Sequence, residues 1–397
     1  MPVGGRILQG QAFRMQFHKG RSTMKQMTGL SGSFKGAVFG LASLIMTSSA
    51  VFAQGEPMTI VEQGSFFVGG HSLQAAGEFD AGALGYTDKG QTFWKDQMYV
   101  QYQIPADARK LPIVLVHGGG GTGRVWETTP DGREGYQTIF LRRGFPVYIV
   151  DAPRRGRSGY PSYNGPFGQL DGDEIIPNRT QRAGIQYAWS RWRIGPKYPE
   201  VFPVQQFDVE SIESFIQHLV PDVNRDPDAV VQALVALLEK IGPAILVTHS
   251  ESGIYGWKTA TLSDNVKGIV SYEPGFVFPE DSMPDPIPLF EGEMVAGSVV
   301  SNDEFAKLAN IPIQIVYGDN IPSEPIPDIP ADGRRAQVVA SQLFADSLNG
   351  IGGNASILPL PSVGLFGNSH FMFSDLNNLQ VADQLSKFLA ENELDQR

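Results

Sequence analysis

Between residues 113 and 358 the chain carries short, nearly continuous apolar runs at 113–116, 147–150, 244–247, 268–271, 313–316 and 356–358, separated by longer polar or helical stretches. A strand with no polar residue at alternate positions must be covered on both faces, and such strands belong to a mostly parallel sheet flanked by helices. Helical period is clearest over 228–241, where Val230, Val231, Leu234, Leu237, Leu238 and Ile241 share one face, and over 378–389. Both segments stand where crossover helices belong. Upstream, residues 66–68 and 97–104 alternate in the manner of antiparallel strands. The pattern predicts an α/β fold. Two stretches interrupt it: about 160–224, with Trp189, Trp192 and many prolines, and about 276–302, rich in proline and acidic residues. Insertions after strand C-termini rise over the ligand end of such a sheet. Both are read as cap or lid material on one domain spanning residues 54–397.

Residues 1–53 contain six basic residues and no Asp or Glu. Lys25 and Lys35 precede a ten-residue apolar run, Ala37 to Met46, which leads through small residues to Val51 and Ala53. Those are the −3 and −1 places of a secretory signal, so cleavage after Ala53 and export to a periplasm or beyond are expected. Met24 opens a segment that would itself be a signal of ordinary length, and residues 1–23 read as an over-extended start. Ten apolar residues are too few for a membrane span, which needs about 20. Removing the segment's six positive charges from a whole-chain formal charge of −11 leaves the remainder at −17. Counterion release, which drives nucleic-acid binding, then has no source, and no nucleic-acid partner is expected. With no cysteine in the chain, disulfides, thiolate metal sites and a cysteine nucleophile are excluded.

The segment Val247-Thr-His-Ser-Glu-Ser-Gly-Ile254 follows one apolar run directly. A nucleophile elbow, the tight strand-to-helix turn that raises a serine above a sheet, needs small residues two before and two after that serine. Ser250 meets this with Thr248 and Ser252, although Thr and Ser replace the glycines of the usual G-x-S-x-G. Ser252 as nucleophile would place Ile254 where a small residue is needed. A serine capping a helix fits the same local pattern; what favours a nucleophile is the order of the remaining features. His117-Gly-Gly-Gly-Gly-Thr-Gly123 closes the first parallel run. Glycines there let backbone N–H groups face a developing oxyanion, with Gly119 as first donor, Gly120 as a second and the Glu251 N–H as the opposite wall. A phosphate-binding loop would require a Lys-Ser/Thr pair that is absent. His370, in Gly367-Asn-Ser-His-Phe371, lies past the last run and before the last helix, where a general base can reach the serine. Among the other histidines after residue 53, His71 is too early, His218 lies in the cap, His249 belongs to the elbow, and His117 reads as a structural loop residue.

Two carboxylates compete to orient His370. The usual Gly-x-x-Asp spacing after a seventh strand puts Ile321 at the acid position, with Asp319 close by. One strand earlier, Glu273 stands just past a buried run, with a side chain long enough to reach the histidine. Glu273 is the leading acid and Asp319 the runner-up. The order Ser250, Glu273, His370 is that of an α/β-hydrolase. The sequence also resembles the α/β-hydrolase subfamily of a secreted esterase described from Alcaligenes. The resemblance runs through His117-Gly118, Trp126-Glu-Thr-Thr-Pro-Asp-Gly-Arg133, Arg155-Gly-Arg-Ser158, His249-Ser-Glu-Ser-Gly-Ile-Tyr255, Glu273-Pro-Gly275, Tyr317-Gly-Asp319 and Gly367-Asn-Ser-His370. It implies carboxylic-ester hydrolysis with an unusual glutamate acid after the sixth strand. Gly119 and Gly120 depart from it, since the family esterase has a pair of cysteines there, so substrate preference does not carry across.

The expectation is a serine hydrolase that cleaves a small-molecule ester through an acyl-enzyme, with no metal and no organic cofactor. A lactonase or amidase would use the same residues, and a hydrolase-fold binding protein without turnover is the alternative of another class. Trp126, Trp189 and Trp192 would line an aromatic substrate pocket or pack in the core and cap. Arg154, Arg155 and Arg157 would recognise an acidic substrate or form a solvated turn. The sequence does not set the oligomeric state; a homodimer is compatible with it.

Overall fold

Along each short apolar run, alternate side chains enter different layers. Val114, Val116, Leu246, Ile269, Ile313 and Ile315 pack into one core cluster, while Ile113, Leu115, Ile245, Val247, Val270 and Val316 pack into another. Burying a side chain of this kind is worth about 1.5–3 kcal/mol relative to exposure, so even a four-residue strand is fixed by its two faces. The computed structural model describes residues 57–82, 89–159, 182–221, 226–290 and 292–397. The expected signal segment and residues 160–181 of the first insert lie outside the described residues.

Eight strands form the central sheet, and two small two-stranded pairings, Val277–Pro279 with Ser298–Val300 and Ile287–Pro288 with Met294–Val295, lie in the second insert. In chain order the eight are β1 (Ile60–Gln74), β2 (Thr92–Pro105), β3 (Ile113–Val116), β4 (Val147–Asp151), β5 (Ala244–His249), β6 (Val266–Tyr272), β7 (Pro312–Tyr317) and β8 (Asn354–Pro359). Their spatial order is β1-β2-β4-β3-β5-β6-β7-β8. β2 runs antiparallel to both its neighbours, and every pairing from β4 to β8 is parallel. The expected α/β sheet is present, with the antiparallel start read from the alternating segments.

Helices cover both faces. In chain order they are α1 (Tyr136–Arg142), α2 (Ile185–Arg191), α3 (Ile212–Gln217), α4 (Pro227–Ile241), α5 (Ser252–Leu262), α6 (Asn302–Lys307), α7 (Ile329–Gly350) and α8 (Asn378–Glu391). α4 and α7 begin alike: Asp226 accepts from the Ala229 N–H and Asp328 from the Ala331 N–H, each with proline in the first turn. Leu234, Leu237 and Leu238 of α4 join the layer containing Trp257 and Phe344. Phe140 of α1 and Leu385, Phe388 and Leu389 of α8 join the opposite layer. The loops after β3, β5, β6, β7 and β8 all emerge at the C-terminal edge of the parallel strands, which sets them beside one another.

Candidate active site

β5 ends at His249 and α5 begins at Ser252, so Ser250 and Glu251 turn the chain. Ser250 lies at φ 54°, a left-handed conformation that costs a non-glycine residue about 1–3 kcal/mol. Its N–H donates to the Tyr272 carbonyl at 2.8 Å. Close packing explains the small flanking residues: a Cβ at Gly253 would lie 2.2 Å from Pro274 Cβ, and Thr248 Oγ1 is 2.6 Å from Ser271 Oγ. The Ser252 hydroxyl is buried, 3.0 Å from the carbonyls of both Val116 and His249, and accepts from the His249 N–H at 2.9 Å. Ser252 is thus engaged inside the fold. Ser250 instead lines a cavity of about 920 Å³, together with Gly119, Gly120, Glu251, His249 and His370.

The glycine loop after β3 reaches the elbow because Gly118 has no side chain. A Cβ there would stand 2.8 Å from His249 Nδ1 and 3.2 Å from Ser250 Cβ. His117 is buried, and its Nε2 accepts the Ala152 N–H at 3.1 Å. That leaves Nδ1 as the protonated nitrogen, donating to the Gly118 carbonyl at 2.7 Å. His117 therefore shapes the loop.

His370 Nδ1 lies 2.6 Å from Glu273 Oε2. Glu273 follows β6 at φ 47° and is wholly buried. Arg193 forks onto its carboxylate, with Nη1 donating to Oε2 at 3.0 Å and Nη2 to Oε1, and the Gly318 N–H donates to Oε1 at 3.0 Å. Burial alone would raise the Glu273 carboxyl, but Arg193 and His370 hold it well below the usual carboxylate range. Asp319, the alternative acid, is occupied elsewhere. Its carboxylate accepts the N–H groups of Gly367 and Asn320, each at 2.7 Å, and its own N–H donates to the Asn368 carbonyl at 2.8 Å. It ties the end of β7 to the loop that bears His370.

That loop is fixed from several sides. Asp375 accepts from the Ser369 N–H at 2.7 Å and the Ser369 hydroxyl at 2.8 Å, and the His370 N–H donates to the Trp192 carbonyl at 3.0 Å. His249 Nε2 donates to the His370 carbonyl at 3.0 Å, and the two rings stand 4.3 Å apart. Burial and the nearby Arg334 guanidinium push the His370 pKa down to about 3. The neutral imidazole then carries its proton on Nδ1, toward Glu273, and presents a lone pair at Nε2. If His370 is the base, kcat/KM should hold from neutrality down to about pH 5, where a histidine of ordinary pKa (about 6.5) would be mostly protonated. A pH–rate profile on folded protein checks this; an acid limb centred near 6.5 would contradict it.

Two arginines of this cluster, and the positioning role of His249, have no counterpart in the sequence reading. Arg193 lies between Trp192 and Ile194, and an arginine flanked by residues that bury is the only signal it leaves. Arg334 and the positioning role of His249 leave none. Of the three candidate pocket tryptophans, Trp192 lines the cavity. Trp126 and Trp189 are corrections. Trp126 stacks on Phe373 at 4.0 Å beneath the site, wholly buried. Trp189 is 3% exposed, packs edge-on to Tyr198 and donates Nε1–H to the Glu200 carbonyl at 2.5 Å. Each indole is taken up by core or insert packing. Arg154 pairs with Asp96 at 2.7 Å and Arg157 with Asp151 at 2.8 Å, so both brace the turn after β4. Arg155 lines a smaller cavity with His117.

The sheet order, the serine turn and the facing His370 and Glu273 define an α/β-hydrolase, and residues 113–366 match the Alpha/beta hydrolase family. The chain belongs to that family. A novel bacterial esterase of known structure is 34% identical, with 85% of this chain and 98% of that chain covered and a TM-score of 0.69. A probable secreted lipase, phiG, of Fungal sp. (strain ATCC 74256) is 29% identical over 312 residues, covering 72% of this chain and 84% of that protein. Among the described residues no helix is long and apolar enough to cross a membrane.

Proposed function

We propose that the chain hydrolyses carboxylic esters of small molecules through a Ser250-His370-Glu273 triad, in the manner of the Alcaligenes-type secreted esterases. The observation that carries this reading is the 2.6 Å contact between His370 Nδ1 and the buried Glu273 carboxylate, in a cavity that Ser250 also lines. Ser250 Oγ attacks the ester carbonyl as its proton passes to His370 Nε2. Backbone N–H groups of Gly119 and Glu251, with Gly120 as a further donor, receive the oxyanion. Collapse of the tetrahedral intermediate breaks the bond to the alcohol, which leaves with the proton from Nε2. Water, deprotonated by the same nitrogen, then attacks the acyl-serine and releases the acid. Glu273 keeps the imidazole in the reactive tautomer and balances the imidazolium. No step calls for a metal or an organic cofactor.

The inserts serve as a cap: Trp192 and Leu219 of the first and Ser298 of the second line the cavity. A fluorophosphonate should add its mass to the Ser250 peptide and stop hydrolysis across a panel of aryl, short-acyl, long-acyl and lactone esters. A protein that takes no label and cleaves none of them is a binding protein on a hydrolase scaffold. Residues 1–53 are read as an export signal, in line with a relative described as a probable secreted lipase. N-terminal sequencing of exported protein should find Gln54 first, and a start upstream of Lys35 would refute the assignment.

A further inference from the structure

Two buried guanidinium groups meet Glu273 beside His370, while the other buried carboxylate nearby, Asp375, is taken up by Ser369 and Asn368. Arg193 already engages both Glu273 oxygens. Arg334, on α7, is buried as well. Its Nε stands 3.8 Å from Glu273 Oε2, its Nη1 donates to Gln337 Oε1 at 2.6 Å, and its Nη2 rests 3.1 Å from His370 Nε2. Two guanidinium groups thus face one carboxylate beside a neutral imidazole. The contact at Nε2 covers the lone pair that the serine's proton must enter. A guanidinium so close also opposes the imidazolium that forms when the proton arrives, and in a site shielded from water that opposition is poorly screened. Toward a neutral ester, Arg334 works against the base.

The cavity as a whole carries the same sign. Among its described lining residues Arg182, Arg191, Lys258 and Arg334 are cationic and Glu251 is the anionic one, in a chain of net charge −11. The Asp228 carboxylate stands 3.9 Å from Lys258 and is largely exposed. The Arg191 guanidinium stands 5.9 Å over the Tyr187 ring.

We propose that the ester cleaved here carries a carboxylate near its scissile bond, and that Arg334 receives this carboxylate, leaving His370 Nε2 free. This deepens the serine-esterase reading and rests on it. A planar guanidinium fork matches a carboxylate with two parallel hydrogen bonds. An incoming anion supplies the negative charge the cluster lacks, frees the lone pair and removes the opposition to the imidazolium. The acidic substrate itself thereby completes a competent base.

The test compares esters matched in size. One pair places the charge in the acyl part: 4-nitrophenyl hydrogen glutarate against 4-nitrophenyl valerate. The other places it in the alcohol part: 3-carboxyphenyl butyrate against 3-methylphenyl butyrate. In at least one pair kcat/KM should favour the anionic ester by about tenfold to 100-fold, the scale of one charge-assisted contact. Arg334→Gln should bring that ratio close to one, and Arg334→Lys should retain part of it. Because each variant is judged on a ratio, partial loss of folded protein cancels. Binding of the same esters to Ser250→Ala protein, followed by calorimetry, reads the preference without turnover. The anionic ester should bind more tightly there, and adding Arg334→Gln should abolish the difference. If fluorophosphonate fails to label Ser250 and no ester is cleaved, the hydrolase reading falls and the calorimetry alone decides this inference. Equal handling of both members of each pair, or a preference that survives Arg334→Gln, overturns it.

Discussion

Ser250→Ala should lower kcat on any accepted ester by up to about 10⁶-fold, the loss that follows removal of a nucleophile whose base and oxyanion donors remain in place. Ser252→Ala should behave quite differently. Its hydroxyl lies 3.0 Å from the carbonyls of Val116 and His249 and accepts the His249 N–H, so its loss leaves a buried donor without a partner. The expected cost is about 1–3 kcal/mol of stability, with kcat retained within about tenfold. Kinetics and thermal melting of the two variants separate chemistry from scaffold. Equal losses of kcat in equally stable proteins would mean that the nucleophile has been placed on the wrong serine.

Glu273→Gln should cut kcat by up to about 10⁴-fold, because an amide cannot hold the Nδ1-protonated imidazole or balance its charge. The same change strips the buried Arg193 of its counter-charge, and breaking such a pair from one side typically costs about 3–5 kcal/mol. A lowered melting temperature is therefore part of the expected result, and kcat must be read below it. Asp319→Asn retains one acceptor oxygen for the N–H groups of Gly367 and Asn320. Its effect should be a stability loss of about 0.5–1.5 kcal/mol and a much smaller change in kcat. Should Asp319→Asn abolish turnover in a stable protein while Glu273→Gln stays active, the acid is the one after β7.

The parts of this molecule that sequence reveals are those where one residue's surroundings are dictated by its immediate neighbours. A strand buried on both faces must be apolar at successive positions, so the interior parallel strands are visible as runs, and the edge strand β8 shows only the short run Ile357-Leu358. The serine turn imposes small residues at fixed offsets, and Thr248, Ser252 and Gly253 display them. Glu273 and His370 stand where the acid and base of a triad would follow strand ends in a set order, and the two side chains meet at 2.6 Å. What escapes are contacts made between distant layers. Trp126 and Trp192 look alike in a sequence, yet one stacks on Phe373 inside the core and the other faces the cavity. In Asp332-Gly-Arg-Arg335, Asp332 pairs with Arg335 at 2.5 Å and Arg334 turns toward His370. Only the packing of α7 against the site reveals that assignment.

Arg193 belongs to the first insert, the stretch whose length and composition set it apart from the sheet that bears Ser250, Glu273 and His370. The same insert accepts the His370 N–H at the Trp192 carbonyl, and its Val220 N–H donates to the Gly120 carbonyl at 2.9 Å. Glu273, His370 and the glycine loop are thus each tied to a segment that a modular view of enzymes would treat as exchangeable. A chimaera that replaced residues 182–221 with the corresponding stretch of another hydrolase would leave an ionised glutamate sealed in the interior with half its support missing. Variation of specificity by swapping this insert is open only to donors that bring their own arginine, and recombination between lineages should preserve the insert and the sheet as one inheritance.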